Sequence, residues 1–198
     1  MRVGVLVSGR GSNLQALLDD PDIDVVCVGS SKPGVQALER ADGAGVEAAV
    51  FQAGDYPDRQ ARDRALGDWL EERDVGLLVL AGFMEILSAE FIRRFEGRIV
   101  NVHPSLLPAF PGVDAIEQAL EHGVRVMGVT VHFVDAGVDS GPIILQEAFE
   151  VPYPRDIDEV EEGVHGIEHR LLPRAVRLIA AGAVSIDPGN PRLVRIDG

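Results

Sequence analysis

At 198 residues the chain is within the roughly 250 that one hydrophobic core usually serves, so a single domain over residues 1–198 is expected. Hydrophobic residues make up 46% and charged residues 25%, a balance that excludes a disordered, collagen-like or coiled-coil chain. The net charge of −14, with Lys32 the only lysine, disfavours nonspecific contact with nucleic acid or an anionic membrane, because binding phosphates takes clustered Lys and Arg.

The first predicted element is an apolar run over residues 2–7, a strand. It is shorter than a signal-peptide core and far short of the ~20 residues of a spanning helix, so a soluble protein is expected. Apolar residues then recur at helical spacing from Ser12 to Leu18. Further strands are expected at 24–29, 46–51, 76–80 and 98–102, and helices at 34–44, 58–73 and 88–95. Strands alternating with helices imply an α/β fold, an open, mainly parallel twisted sheet with helices on both faces. After Val102 come a Pro-rich loop at 104–112, a short helix at 115–122 and two strands at 126–134 and 143–151. Gly- and Asp-rich residues join these late strands, which are expected to pair antiparallel. A long helix over about 156–181 and a short strand or extended tail beyond Val184 complete the chain. The only cysteine, Cys27, lies in an apolar run, which excludes an intramolecular disulfide and a cysteine-rich zinc site and fits a reducing cytoplasm.

Three segments carry candidate chemistry. Ser8-Gly9-Arg10-Gly11-Ser12-Asn13 follows the first strand at a helix start, where glycines let the backbone approach an anion and the first helical N–H groups point at it. It reads as a phosphate cradle, or else as a tight turn in which Ser12 or Asn13 caps the helix. It lacks the third glycine of a dinucleotide fingerprint and the lysine of a P-loop. Asn101-Val102-His103-Pro104 follows a strand at its carboxyl end, where open α/β sheets place ligands. Alternation puts Asn101 and His103 on one side, a donor pair able to stabilise an oxyanion or shuttle a proton, or else two side chains satisfied by loop backbone. The loop from Asp135 to Pro142, with His132, offers a His-x2-Asp-x3-Asp spacing that matches no standard metal site. A packed or supporting role for His132 is expected instead, and no metal.

Together these segments resemble the phosphoribosylglycinamide formyltransferases, folate-dependent enzymes of purine synthesis. The resemblance runs in order through Val5-Leu6-Val7-Ser8-Gly9-Arg10-Gly11-Ser12-Asn13, Leu80-Ala81-Gly82-Phe83-Met84-Glu85-Ile86-Leu87-Ser88 and Asn101-Val102-His103-Pro104-Ser105-Leu106-Leu107-Pro108, then Val129-Thr130-Val131-His132-Phe133-Val134, Val138-Asp139-Ser140-Gly141-Pro142 and Glu168-His169. It implies a Rossmann-like formyltransferase fold, with a nucleotide-phosphate half over about 1–100 and a folate and catalytic half over about 101–198. It further implies formyl transfer from 10-formyltetrahydrofolate to the amine of glycinamide ribonucleotide, without a metal or covalent enzyme intermediate. The family's catalytic Asn, His and Asp fall on Asn101, His103 and Asp139. Its phosphate site falls on Gly11, Ser12 and Asn13, and its ribose-binding acid on Glu168. The pterin slot falls on the backbone of Met84, Glu85, Ile86 and Leu87 and on Val138 and Asp139, and a basic residue near the glutamate tail on Arg59. Glu85 stands where the family often carries Arg, and Ser31 where Asn is common.

The same residues account for the chemistry. Attack of an amine on a formyl carbon gives a tetrahedral intermediate with an oxyanion, so donors must sit where the charge develops. Asn101 supplies an amide N–H; His103, kept protonated by Asp139, supplies a second donor, and Asp139 relays protons. The partners implied are the two small-molecule substrates, with no nucleic acid and no membrane, in a cytoplasmic monomer or homodimer. Formyltetrahydrofolate hydrolase and methionyl-tRNA formyltransferase share the Asn, His and Asp. The hydrolase usually has an N-terminal regulatory domain, whereas this chain begins at its first strand. The tRNA enzyme has a C-terminal nucleic-acid domain, for which the residues after Val151 leave little room. From other classes, an NADP-binding reductase would use the glycine loop with Ser30-Ser31-Lys32, and a nucleotide-binding module would need no catalysis.

Overall fold

Arg2–Val7 (β1) carries no polar residue after Arg2, the pattern of a strand covered on both faces. In the computed structural model, which describes residues 1–151, 153 and 156–197, it forms the middle of the first of two compact units, Met1–Val100 and Asn101–Gly198. Around it the first unit places α1 (Ser12–Leu18), β2 (Asp24–Ser30), α2 (Gln36–Gly43), β3 (Glu47–Val50), α3 (Arg59–Glu71), β4 (Leu77–Leu80) and α4 (Ala89–Arg94). The strand order within this unit is β3-β2-β1-β4, all parallel. Val5 lies opposite Val28 on one side and Val79 on the other, and all three are buried. The predicted ends move by at most two residues, and a short 3-10 turn at Ala53–Asp55 was not expected.

Two side-chain caps fix the helices that matter below. Asp58 accepts a hydrogen bond from the Ala61 N–H at 2.7 Å and starts α3, and Ser88 accepts one from the Phe91 N–H at 3.3 Å and starts α4. On α3, Arg62, Leu66 and Leu70 recur every four residues and are all buried. A guanidinium therefore lies on the apolar face of this helix.

Cys27 on β2 is fully buried, and that burial, opposed by the Arg73 charge, pushes its thiol up to about 11. At pH 8 its thiolate fraction is about a hundredfold below that of an ordinary thiol. Ellman's reagent should leave the native chain unmodified over the time in which the urea-unfolded chain reacts fully. Rapid native labelling would contradict the burial.

The strand β5 (Ile99–His103) runs into the second unit, which continues with α5 (Ala115–His122), β6 (Val126–Phe133), β7 (Ile143–Glu150), α6 (Ile157–Ala180), β8 (Val184–Ile186) and β9 (Val194–Ile196). β6 and β7 pair antiparallel, with a register shift between Val131 and His132. α6 packs on both strands through a stripe that includes Val160, Val164, Ile167, Leu171 and Ala175. The expected tail resolves into an antiparallel hairpin, β8 with β9, whose turn is held by Asp187 accepting from the N–H groups of Gly189 and Asn190 at 2.7 and 3.1 Å. Among the described residues no helix is long and apolar enough to cross a membrane.

Candidate active site

In the first unit the chain leaves β1 and turns through Gly11, whose φ of 72° places it in the left-handed region. A Cβ there would lie 2.6 Å from Ala37 Cβ and 2.9 Å from Ala37 Cα, so no other residue fits. Gly11 is itself the cap residue of α1 and no side chain caps it, which corrects the expectation of a cap from Ser12 or Asn13. Both lie inside the first helical turn, one and two residues past the cap. The Gly9 carbonyl accepts from the Ala37 N–H at 3.2 Å and pins the turn from the other side.

Residues 84–88 are fastened at four points. The Met84 N–H donates to Ser8 Oγ at 2.9 Å, and Ser8 Oγ lies 2.6 Å from Ser31 Oγ, so the serine at position 31 belongs to the support of this segment. Arg62 donates to Glu85 Oε2 at 2.9 Å and to the Ile86 carbonyl at 3.2 Å. Asp63 accepts from the Ser88 N–H at 2.6 Å and from Arg62 at 2.7 Å. Glu85 thus directs its carboxylate at a buried guanidinium, while Met84 and Ile86 on either side are 72% and 69% exposed. Sequence reasoning missed Arg62 and Asp63; the signal was a charge in register with Leu66 and Leu70. Arg59 is exposed on the first turn of α3 and makes no ion pair among the described residues.

In the second unit Asn101 and His103, two residues apart on β5, both reach Asp139. Asn101 Nδ2 donates to Asp139 Oδ1 at 3.3 Å, and His103 Nδ1 lies 3.4 Å from Asp139 Oδ2. The Phe110 carbonyl lies 2.8 Å from His103 Nε2. A carbonyl only accepts, so Nε2 carries a proton and Nδ1 is the nitrogen left to exchange one with the site. His132 completes the group: its Nδ1 lies 2.8 Å from the Phe133 carbonyl, which fixes the proton there, and its Nε2 accepts from Asn101 Nδ2 at 3.3 Å. The register shift before His132 leaves Ile144 of β7 without a partner, a local irregularity of the pair beside the site. Both amide hydrogens of Asn101 are therefore engaged, each in a long bond.

Asp139 and Phe110 sit at φ of 48° and 50°, a conformation that costs of order 1–3 kcal/mol in a residue with a side chain and is kept where the surroundings impose it. Two residues on, the chain passes close to β6 at Gly141, where a Cβ would stand 1.8 Å from the Phe133 carbonyl oxygen. Burial alone would raise the Asp139 carboxyl; the His132 imidazole beside it, the Gly112 N–H donating at 2.8 Å and the His103 imidazole outweigh it, so the pKa lies below the usual 3.8. Asp139 is an acceptor-only carboxylate at neutral pH. Asp135, by contrast, is taken up by its own turn, accepting from the Gly137 N–H at 3.0 Å and Ser140 Oγ at 2.7 Å. No group of three metal-ligating side chains occurs among the described residues. A cavity of about 370 Å3 opens on Asp139, walled by Leu107, Pro108, Val138 and Pro142, with Arg192 of the C-terminal hairpin at its edge. Glu168 is buried on α6 and Val138 is exposed.

The sequence pattern of the formyl transferase family matches residues 1–176. The chain belongs to this family. It is similar to the phosphoribosylglycinamide formyltransferase of Haemophilus influenzae, at 37% identity over 100% of this chain and 94% of the relative. The Drosophila melanogaster trifunctional purine biosynthetic protein adenosine-3 is 46% identical over 94% of this chain, which spans only 14% of that relative's length. The crystal structure of glycinamide ribonucleotide transformylase 1 from Symbiobacterium toebii matches with a TM-score of 0.96 and 46% identity over 100% of this chain and 94% of that one. The fold is thus the mainly parallel formyl transferase fold with antiparallel late strands, as expected from the sequence.

Proposed function

We propose that this formyl transferase moves the formyl group of 10-formyltetrahydrofolate to the amine of 5′-phosphoribosylglycinamide in purine synthesis. The observation that carries the reading is the Asn101, His103 and Asp139 cluster, in a chain that aligns along nearly its whole length with phosphoribosylglycinamide formyltransferases.

The residues present fit a folate. With Glu85 drawn onto Arg62, the 84–87 segment offers main chain between two exposed apolar side chains, suited to a flat heterocycle with a hydrogen-bonding edge. When bound, 10-formyltetrahydrofolate supplies the electrophilic formyl carbon. Asn101 gives up one of its long hydrogen bonds and donates to the formyl oxygen as negative charge develops there. His103 in its protonated form, its Nδ1 3.4 Å from the Asp139 carboxylate, donates from Nδ1 and delivers its proton to the departing nitrogen. Asp139 accepts the proton lost by the attacking amine and returns it to His103, so the cycle closes without net change in the protein. Gly11, Ser12 and Asn13 receive the ribonucleotide phosphate, Glu168 its ribose, and Arg59 the glutamate tail of the folate. The same reading gives a cytoplasmic monomer or homodimer that uses no metal and has no nucleic-acid or membrane partner, its two units serving one formyltransferase domain.

A coupled assay of deformylated folate, run with and without the ribonucleotide, tests the reading. Folate loss that ignores the ribonucleotide would make the chain a hydrolase. The phosphate assignment has its own test. Gly11 tolerates no side chain, so bulk there would disturb the turn as well as the ligand. Ser12→Asp separates the two effects. An acid in the first helical turn stabilises α1 by about 0.3–1 kcal/mol, yet it repels a phosphate. We expect an unchanged or higher Tm together with a rise of about tenfold or more in the KM for the ribonucleotide. An unchanged KM would remove Ser12 from the phosphate site.

A further inference from the structure

Among the described residues Arg62 is the largest fully buried side chain, at 1% exposure. Its guanidinium makes two hydrogen bonds inside its own helix, both to Asp63 Oδ1, and two outside it, one to Glu85 and one to the Ile86 carbonyl. Asp63 uses its other oxygen on the Ser88 N–H. Burying a full charge is costly unless every donor finds a partner in good geometry, and such an arrangement holds its partners in fixed places.

We propose that Arg62 is a positioning residue for folate recognition: through Glu85 and the Ile86 carbonyl it sets the course of the 84–87 main chain, and so the direction in which that main chain presents its hydrogen-bonding groups. The inference rests on the functional reading above, in which this segment receives the pterin. Arg62 itself, below the protein surface, touches no substrate. Glu85, one-third exposed, acts here as the outer partner of the guanidinium and not as a recognition group of its own. The geometry is specific to a fork. One Nη carries Glu85 while the other serves both Asp63 and the Ile86 carbonyl. A lysine has the charge but cannot reproduce those directions.

The test uses Arg62→Lys, Glu85→Ala and Glu85→Gln in the full chain, with steady-state kinetics in both substrates. Arg62→Lys keeps the buried charge, and Glu85→Gln keeps an acceptor for it, so both should fold. We expect Arg62→Lys and Glu85→Ala each to raise the KM for 10-formyltetrahydrofolate about 5- to 20-fold, since the cost is in ordering the segment, with a much smaller fall in kcat and no change in the KM for the ribonucleotide. Glu85→Gln should recover at least half of the loss on a logarithmic scale. An effect of Glu85→Ala without one from Arg62→Lys would mean that Glu85 contacts the folate directly, and would overturn the proposal. So would an unchanged folate KM in both variants, or a fall in kcat as large as the rise in KM. A wild-type chain that transfers no formyl group would bring down the functional reading and this inference with it; an active wild type with unaffected variants would overturn the inference alone.

Discussion

Asp139→Asn should lower kcat by about 10³-fold while changing the KM of either substrate by less than threefold, an effect of the size seen when a proton relay or an oxyanion donor is lost. The substitution keeps the shape and one oxygen, which either stays at the Oδ2 position and accepts from Gly112 or takes the Oδ1 position and accepts from Asn101. Its new NH2 group, however, faces either Asn101 Nδ2 or His103 Nδ1. Toward Asn101 it sets donor against donor; toward His103 it occupies the lone pair of Nδ1 and leaves the imidazole with no proton to give. His103→Ala should cost about 10²- to 10⁴-fold in kcat for the complementary reason. Near-normal turnover in either variant would remove that residue from the mechanism. The pH dependence has a definite sign. A carboxyl whose folded pKa is depressed contributes stability that is present above its unfolded value and lost as pH falls through the lower, folded one. An acid limb of kcat/KM that depends on Asp139 should therefore lie below 3.8, and one at or above that value would contradict the depressed carboxyl.

Asp63→Ala should destabilise the fold by about 3–5 kcal/mol, because it strips the main partner from a guanidinium that water cannot reach and orphans the Ser88 N–H. The double variant Arg62→Met with Asp63→Leu should recover part of that loss, since it removes both charges and leaves Glu85 exposed enough to be hydrated, while the Ser88 N–H stays without its acceptor. Urea unfolding of the three chains measures the difference. A single variant within about 1 kcal/mol of wild type would mean that the pair is already solvated in the native state.

Most of the element order could be read from the chain because its strands are continuous apolar runs, such as residues 3–7 and 77–80, and its helices carry spaced apolar stripes. Alternation alone put Asn101 and His103 on one side of β5, and both do reach Asp139. What could not be read has a common physical origin in the backbone. The register shift before His132, the left-handed φ of Phe110 and Asp139 and the carbonyl of Phe110 that orients His103 all depend on main-chain geometry that side-chain identity does not announce. Arg62 is a different case. Its place on the α3 stripe was visible, but charged residues are so seldom buried that its register with Leu66 and Leu70 carried no weight until Asp63 and Glu85 were seen around it.

The seclusion of Cys27 also makes the wild-type chain a convenient background for site-directed labelling. Its single thiol is masked in the folded state, and its single lysine, Lys32, is exposed. A cysteine introduced at the 73% exposed Val113 would be the only reactive thiol, while amine-directed chemistry has one lysine to find. Two fluorophores, one in each unit, could then report by energy transfer on any change in separation as substrates are added, without first deleting a native residue.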